Sequence, residues 1–204
     1  MKLHSRLGCI ALLLCSATLL QGLQSATSRQ LPPPLTPKER WQRYLHENYT
    51  SPPIYYASLG PAWGDQASNA PRQWRRTTSG YAKRVGTTYA TFALQNTIYE
   101  SGSAALGNEP RYVACQCSGG WHRAGYALRM SFFTYHGAHT VFDFPQFAGA
   151  YGGGMIPLLW YPRGYSPLVQ GVQNGHQQLG LVVVVREIQE FSPELKRFFR
   201  RLKP

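Results

Sequence analysis

Acidic residues are scarce in this chain of 204 residues, with 9 Asp plus Glu against 21 Lys plus Arg. So few carboxylates leave little for paired acid–base chemistry. Asp65 with Glu100 or Glu109 is the one pairing available for glycoside-type work, and no spacing brings them together. Cysteine is scarcer still, four residues in all, so a disulfide-stapled scaffold is excluded and stability must come from packing or from lipid. There is no G-x-S-x-G frame for a nucleophile, since Ser101-Gly-Ser103 and Ser118-Gly-Gly120 read as glycine–serine turns. No internal repeat of fixed period is present.

What is present begins with an address. Lys2 and Arg6 form a positive start, residues 7–20 are apolar, and Gly22, Ser25 and Ala26 are small. This order reads as a secretory signal peptide over residues 1–26, its apolar stretch too short to span a bilayer. Cleavage after Ser25 or Ala26 puts Leu23 or Gln24 at the third position back, a poor match to the small-x-small rule, so retention as an uncleaved anchor is the other reading. The expected location is the periplasm or the cell-envelope membrane. Without residues 1–26 the chain keeps 19 basic against 9 acidic residues, a formal charge of +10. Outside the cytoplasm such a charge points to membrane lipids or an anionic envelope polymer. The mixed run from Arg72 to Arg76 (RQWRR) is read as a solvated segment near a helix start, and nucleic acid is set aside as a partner.

Residues 27–37 form a Pro-rich linker, 38–191 a helical domain and 192–204 a basic amphipathic C-terminal helix. Thr36, Pro37 and Glu39 mark a helix start, and Pro52-Pro53 breaks what precedes it. Asn48-Tyr49-Thr50 matches a glycosylation acceptor, relevant only in a eukaryotic secretory pathway. Tyr81, Val85, Tyr89, Phe92 and Tyr99 recur on one face of a helix over 80–105. A second long helix is expected over 121–144, stopped by Pro145. Residues 144–162 carry no charge and place Gly149 and Gly153, Ala148 and Gly152, and Ala150 and Gly154 four apart. That spacing lets helix backbones approach closely and is favoured in membranes, while the bland reading is a glycine-rich loop. A third helix over 168–189, uncharged to residue 185, pairs with 144–162 as a candidate membrane hairpin, although Val182 to Val185 also read as a buried strand. The fold class is therefore mainly α: a compact bundle of glycine-rich helices, embedded in or pressed onto a membrane.

Three constellations and one arginine could carry chemistry. On the expected helix over 121–144, His136 and His139 are neighbours and Asp143 follows one turn on, a workable set for a transition metal. His122 is about 20 Å from His136 on that helix, at 1.5 Å per residue, too far to join. Cys115 and Cys117 with His122 could hold copper(I) or form a small redox-active disulfide, though one intervening residue departs from the usual spacing. Arg111 could bind an anion or tie its loop to a helix end. In the last helix Leu195, Phe198, Phe199 and Leu202 share a face, and Lys196, Arg197, Arg200, Arg201 and Lys203 cover the rest, a pattern suited to an anionic membrane surface.

Asn108 to Tyr112 (NEPRY), the segment 123–128, Trp160-Tyr161-Pro162 and Glu190 to Lys196 (EFSPELK) together resemble a family of exported, helical bacterial envelope proteins of uncharacterised activity. The resemblance covers roughly residues 60–200 and implies location and helicity, with no chemistry attached. The expected function is a membrane-associated structural or interaction protein of the envelope, able to oligomerise through its helices. An exported metal protein using the His/Asp face, and a soluble polymer binder leaning on Trp63, Trp74 and Trp121, are the rivals.

Overall fold

The computed structural model describes residues 31–202, so the expected signal peptide with its expected cleavage site, and Lys203, lie outside the described residues. The described chain is mainly helical, with one two-stranded sheet. Helix α1 (Pro37–Leu45) starts on a capping box: the Thr36 hydroxyl accepts from the Glu39 N–H, and the Glu39 carboxylate accepts from the Thr36 N–H at 2.8 Å. It runs into a π-helical turn (His46–Thr50) that buries Asn48, whose amide donates to the Tyr44 carbonyl. Pro52 and Pro53 not only end this turn but open α2 (Pro52–Ser68), because the first helical turn has no use for their missing N–H groups. Asn69 closes α2 in the left-handed region, with its N–H returned to the helix.

After a 3₁₀ turn (Arg72–Trp74), α3 (Thr78–Ala105) begins at the Thr77 cap and forms the axis of the fold. Its fully buried positions are not the aromatic stripe. Tyr81, Val85, Tyr89 and Phe92 are half-covered, whereas Gly80, Arg84, Thr87, Gln95, Glu100 and Ser103 are buried together with Tyr99. Several neighbours surround α3, so hydrophobic periodicity marks only one of its covered sides. The Arg84 guanidinium supports the 69–76 turn, donating to the carbonyls of Ala70, Pro71 and Arg75 and to the Gln66 side chain.

The continuous helix expected over 121–144 is corrected. The chain forms α4 (Gly120–Arg129), then a hairpin of β1 (Phe133–His136) and β2 (His139–Phe142), then α5 (Phe144–Met155). Phe133 pairs with Phe142 and His136 with His139 in the antiparallel register, around a turn where Gly137 takes φ 56°. Aromatic and β-branched residues either side of a Gly-containing two-residue turn favour this hairpin over helix. Pro145, read as a stop, lies in the first turn of α5 behind the Asp143 cap.

A 3₁₀ segment (Ile156–Trp160) leads to α6 (Pro167–Glu190), which absorbs the four valines as helix, and α7 (Ser192–Leu202) ends the described chain. The small residues of 149–154 allow α5 to pack backbone-close on both sides. A Cβ on Gly153 would lie 2.8 Å from the Gln95 Cβ of α3, and one on Gly154 would lie 2.8 Å from the Gly171 carbonyl oxygen of α6. This close packing does not make a membrane hairpin. Among the described residues no helix is long and apolar enough to cross a membrane. Helix α5 has only 12 residues, and α6 is interrupted by Gln and Asn.

Candidate functional site

The segment between α3 and α4 has no regular structure, so its backbone groups must find partners elsewhere. It is stitched down along its length. Glu109 donates its N–H to the Tyr135 carbonyl at 2.8 Å and accepts from the Thr134 hydroxyl at its own carbonyl. Tyr99, buried inside α3, donates to the Pro110 carbonyl at 3.1 Å. Arg111 grips Glu109 through Nε at 2.6 Å and through Nη2 at 2.8 Å, and Nη2 also donates to the Pro33 carbonyl. Its guanidinium is thus occupied by a carboxylate of its own loop, and the anion-binding expectation gives way to a structural tie. Burial pulls Glu109 toward protonation, but the Arg111 hydrogen bonds outweigh it and leave the carboxyl below its ordinary range.

The segment then closes over the end of α6. The Glu190 side chain has no exposed surface, and it accepts three hydrogen bonds: from the Tyr112 hydroxyl at 2.7 Å, the Cys115 N–H at 2.8 Å and Arg123 Nε at 2.8 Å. Arg123 reaches on to Glu194 and to the Glu190 carbonyl, so it ties α4 to the α6–α7 junction, and it stacks over Phe191 at 4.6 Å. Arg186 covers the Tyr112 ring at 5.2 Å. Burial is the largest influence on Glu190 and pushes its pKa up. Arg123, the Cys115 N–H and Tyr112 together outweigh it and hold the carboxyl below its ordinary value. Burial and then the adjacent Glu190 push the Tyr112 phenol upward, so it stays protonated as a donor. The Glu190 carboxylate, the Tyr112 hydroxyl and the Arg123 guanidinium are all engaged within the chain. The cluster's chemistry is that of a latch, holding three chain segments at one carboxylate.

Cys115 and Cys117 are bonded to each other. Neither offers a thiolate to a metal, and His122 stands exposed beside Gly119. The metal set is corrected along with its helix. His136 and His139 face each other across the hairpin turn with both residues exposed, while Asp143 is buried at the far end of β2. The Asp143 carboxylate accepts from the Gln146 N–H as the cap of α5, and burial pushes its pKa up to about 6. Among the described residues no group of three or more His, Cys, Asp or Glu side chains could hold a metal ion. Asn48 is buried, so the folded chain offers no glycosylation acceptor there.

A second charged cluster lies between α1 and α3. Arg43 pairs with Glu47 at 2.6 Å and with the buried Glu100 at 3.1 Å. Burial raises the pKa of Glu47 against the pull of Arg43. Sequence reasoning named Glu190 only as part of a resemblance and Glu100 only as a possible acid–base partner of Asp65, whereas the structure pairs Glu100 with Arg43. Glutamate inside a helix reads as surface until its partners are known.

The apolar side chains missing from the interior are on the outside. Leu181, Val184, Val185 and Ile188 form an exposed stripe along α6, and α7 exposes Phe198 (57 %) and Phe199 (62 %) between Lys196, Arg197, Arg200 and Arg201. Trp63 and Trp121 are also exposed, at 68 % and 92 %, while Trp74 is half-covered against Tyr161. No family model, curated protein or solved structure matches this chain.

Proposed function

We propose that this protein is an exported, non-catalytic component of the cell envelope that docks on an anionic membrane surface through α7. The observation that carries this reading is the pairing of exposed Phe198 and Phe199 with four described basic residues on a helix whose base is fixed by the Glu190 latch. Aromatic side chains enter the head-group boundary while flanking cations meet lipid phosphates. Each basic residue near an anionic surface is worth about 1 kcal/mol. Lys196, Arg197, Arg200 and Arg201 together supply about 4 kcal/mol, or roughly a thousandfold in affinity. The exposed stripe on α6 supports an apolar contact beside the electrostatic one. The satisfied Glu190 cluster supports a positioning role, since it presents no free nucleophile or base.

Co-sedimentation with vesicles tests it. The protein is expected to bind phosphatidylglycerol vesicles at low salt, to bind phosphatidylcholine vesicles far less, and to be released as salt screens the charges. Phe198→Asp with Phe199→Asp is expected to abolish binding while the helical circular-dichroism signal stays intact. Binding that ignores both lipid charge and these substitutions would overturn the assignment.

A further inference from the structure

Two grooves share Gly86 of α3 as a wall, and their chemistries differ. One, of about 320 Å³, lies between α2 and α3 and is walled by Tyr49, Ile54, Tyr55, Leu59, Val85 and Tyr89. Two of its three phenol groups are engaged with the backbone: Tyr89 donates to the Asn48 carbonyl at 3.4 Å and Tyr55 to the Tyr49 carbonyl at 3.5 Å. Ring faces and aliphatic groups line most of the space, and the Ser58 hydroxyl, buried in its wall without a hydrogen-bond partner among the described residues, is a polar exception. The other, of about 400 Å³, is walled by Trp74, Lys83, Thr87 and Trp160. Here Trp160 is held in place by its indole N–H, which donates to the Thr87 hydroxyl at 3.1 Å. Lys83 is exposed and makes no ion pair among the described residues, and no carboxylate lines either groove.

Gly86 belongs to both walls, and a Cβ built on it would meet nothing within 4 Å. In mid-helix a glycine costs roughly 1 kcal/mol against alanine. Here its lack of a side chain leaves the passage between the grooves open.

We infer that the joined grooves bind one anionic amphiphile, its alkyl chain lying among Tyr49, Tyr55 and Tyr89 and its phosphate or carboxylate head meeting Lys83 between Trp74 and Trp160. An apolar trough opening onto an unpaired cation flanked by two indoles fits a ligand with one apolar and one anionic end. A purely apolar ligand would leave Lys83 unused, and a saccharide would leave the tyrosine-walled trough unused. The site is separate from α7, so it does not depend on membrane docking by that helix.

The test is titration of the purified full chain with monomeric dodecyl phosphate, followed by tryptophan fluorescence and calorimetry. Saturable single-site binding is expected, with dodecyl maltoside binding more weakly and inorganic phosphate not measurably. Gly86→Leu puts a side chain into the junction at a position where a Cβ meets nothing within 4 Å, and is expected to weaken dodecyl phosphate binding about tenfold or more. Lys83→Gln is expected to remove the preference over dodecyl maltoside. Phe198→Asp with Phe199→Asp is expected to leave the titration unchanged, so failure of this site and failure of α7 docking give different results. Transfer of a fluorescent phosphatidylglycerol out of vesicles would name a bilayer lipid as the source. Binding of dodecyl phosphate without such transfer would name a free amphiphile. Absence of saturable binding, indifference to Gly86→Leu in a folded variant, or tighter binding of polygalacturonate than of dodecyl phosphate would overturn the inference.

Discussion

Replacing Glu190 by alanine removes the acceptor shared by Tyr112, Cys115 and Arg123, and leaves three donors facing a void at the end of α6. Breaking a buried ion pair by deleting one partner costs about 3–5 kcal/mol. With a urea dependence of roughly 2 kcal/mol per molar for a chain of this size, the unfolding midpoint should fall by about 2 M. The melting temperature should fall by roughly 10 °C. The effect also has a pH signature. The folded-state pKa of Glu190 lies below its ordinary value of 4.5, so its contribution is fully present above that value and fades as pH falls through the lowered folded-state pKa. Equilibrium urea unfolding of wild type and Glu190→Ala at pH 7 and again near pH 3 measures both. A wide gap at neutral pH that narrows in acid is expected. A second variant, Arg123→Ala, closes the cycle, because Glu190→Ala should cost less where Arg123 is already absent. A midpoint shift under about 0.5 M at pH 7, or equal cost with and without Arg123, would refute the latch.

Asp143 should behave in the opposite sense. Its pKa rises from 3.8 to about 6 through burial, so the stability it contributes is fully present below the unfolded value and is lost as pH rises through 6. That difference of about 2 pKa units is worth roughly 3 kcal/mol as an upper bound. Asp143→Asn keeps a good cap and should raise stability at pH 8 while changing little at pH 4, as thermal melts at the two pH values will show. Gly153→Ala drives a methyl group into Gln95 and should cost about 1–3 kcal/mol in urea unfolding. Gly64→Ala, in open space on α2, should stabilise by up to about 1 kcal/mol in the same assay. Arg201→Glu should weaken phosphatidylglycerol vesicle binding and flatten its salt dependence with no change in melting temperature.

Local chemistry decided the ends and types of several elements, and these were legible. Thr36 with Glu39 marks a helix start, because the capping groups lie within three residues of the backbone N–H groups they serve. The amphipathic pattern of α7 was equally plain, since its apolar and basic residues repeat at the helical period. The glycines at 149, 153 and 154 announced close backbone packing, and α5 does pack that way between α3 and α6. Periodicity alone did not separate α4, the hairpin and α5. Aromatic and β-branched residues in 131–144 fit helix or strand, and the turn at Gly137 with the pairing of Phe133 and Phe142 decided between them. Tertiary structure also decided where the charges went. Arg84, Glu100 and Glu190 sit inside because partners from segments distant in sequence meet them there, while Phe198, Phe199 and the α6 stripe stay outside because nothing in the described chain covers them. A residue's polarity sets the cost of burying it, and only the arrangement of its neighbours determines whether that cost is met.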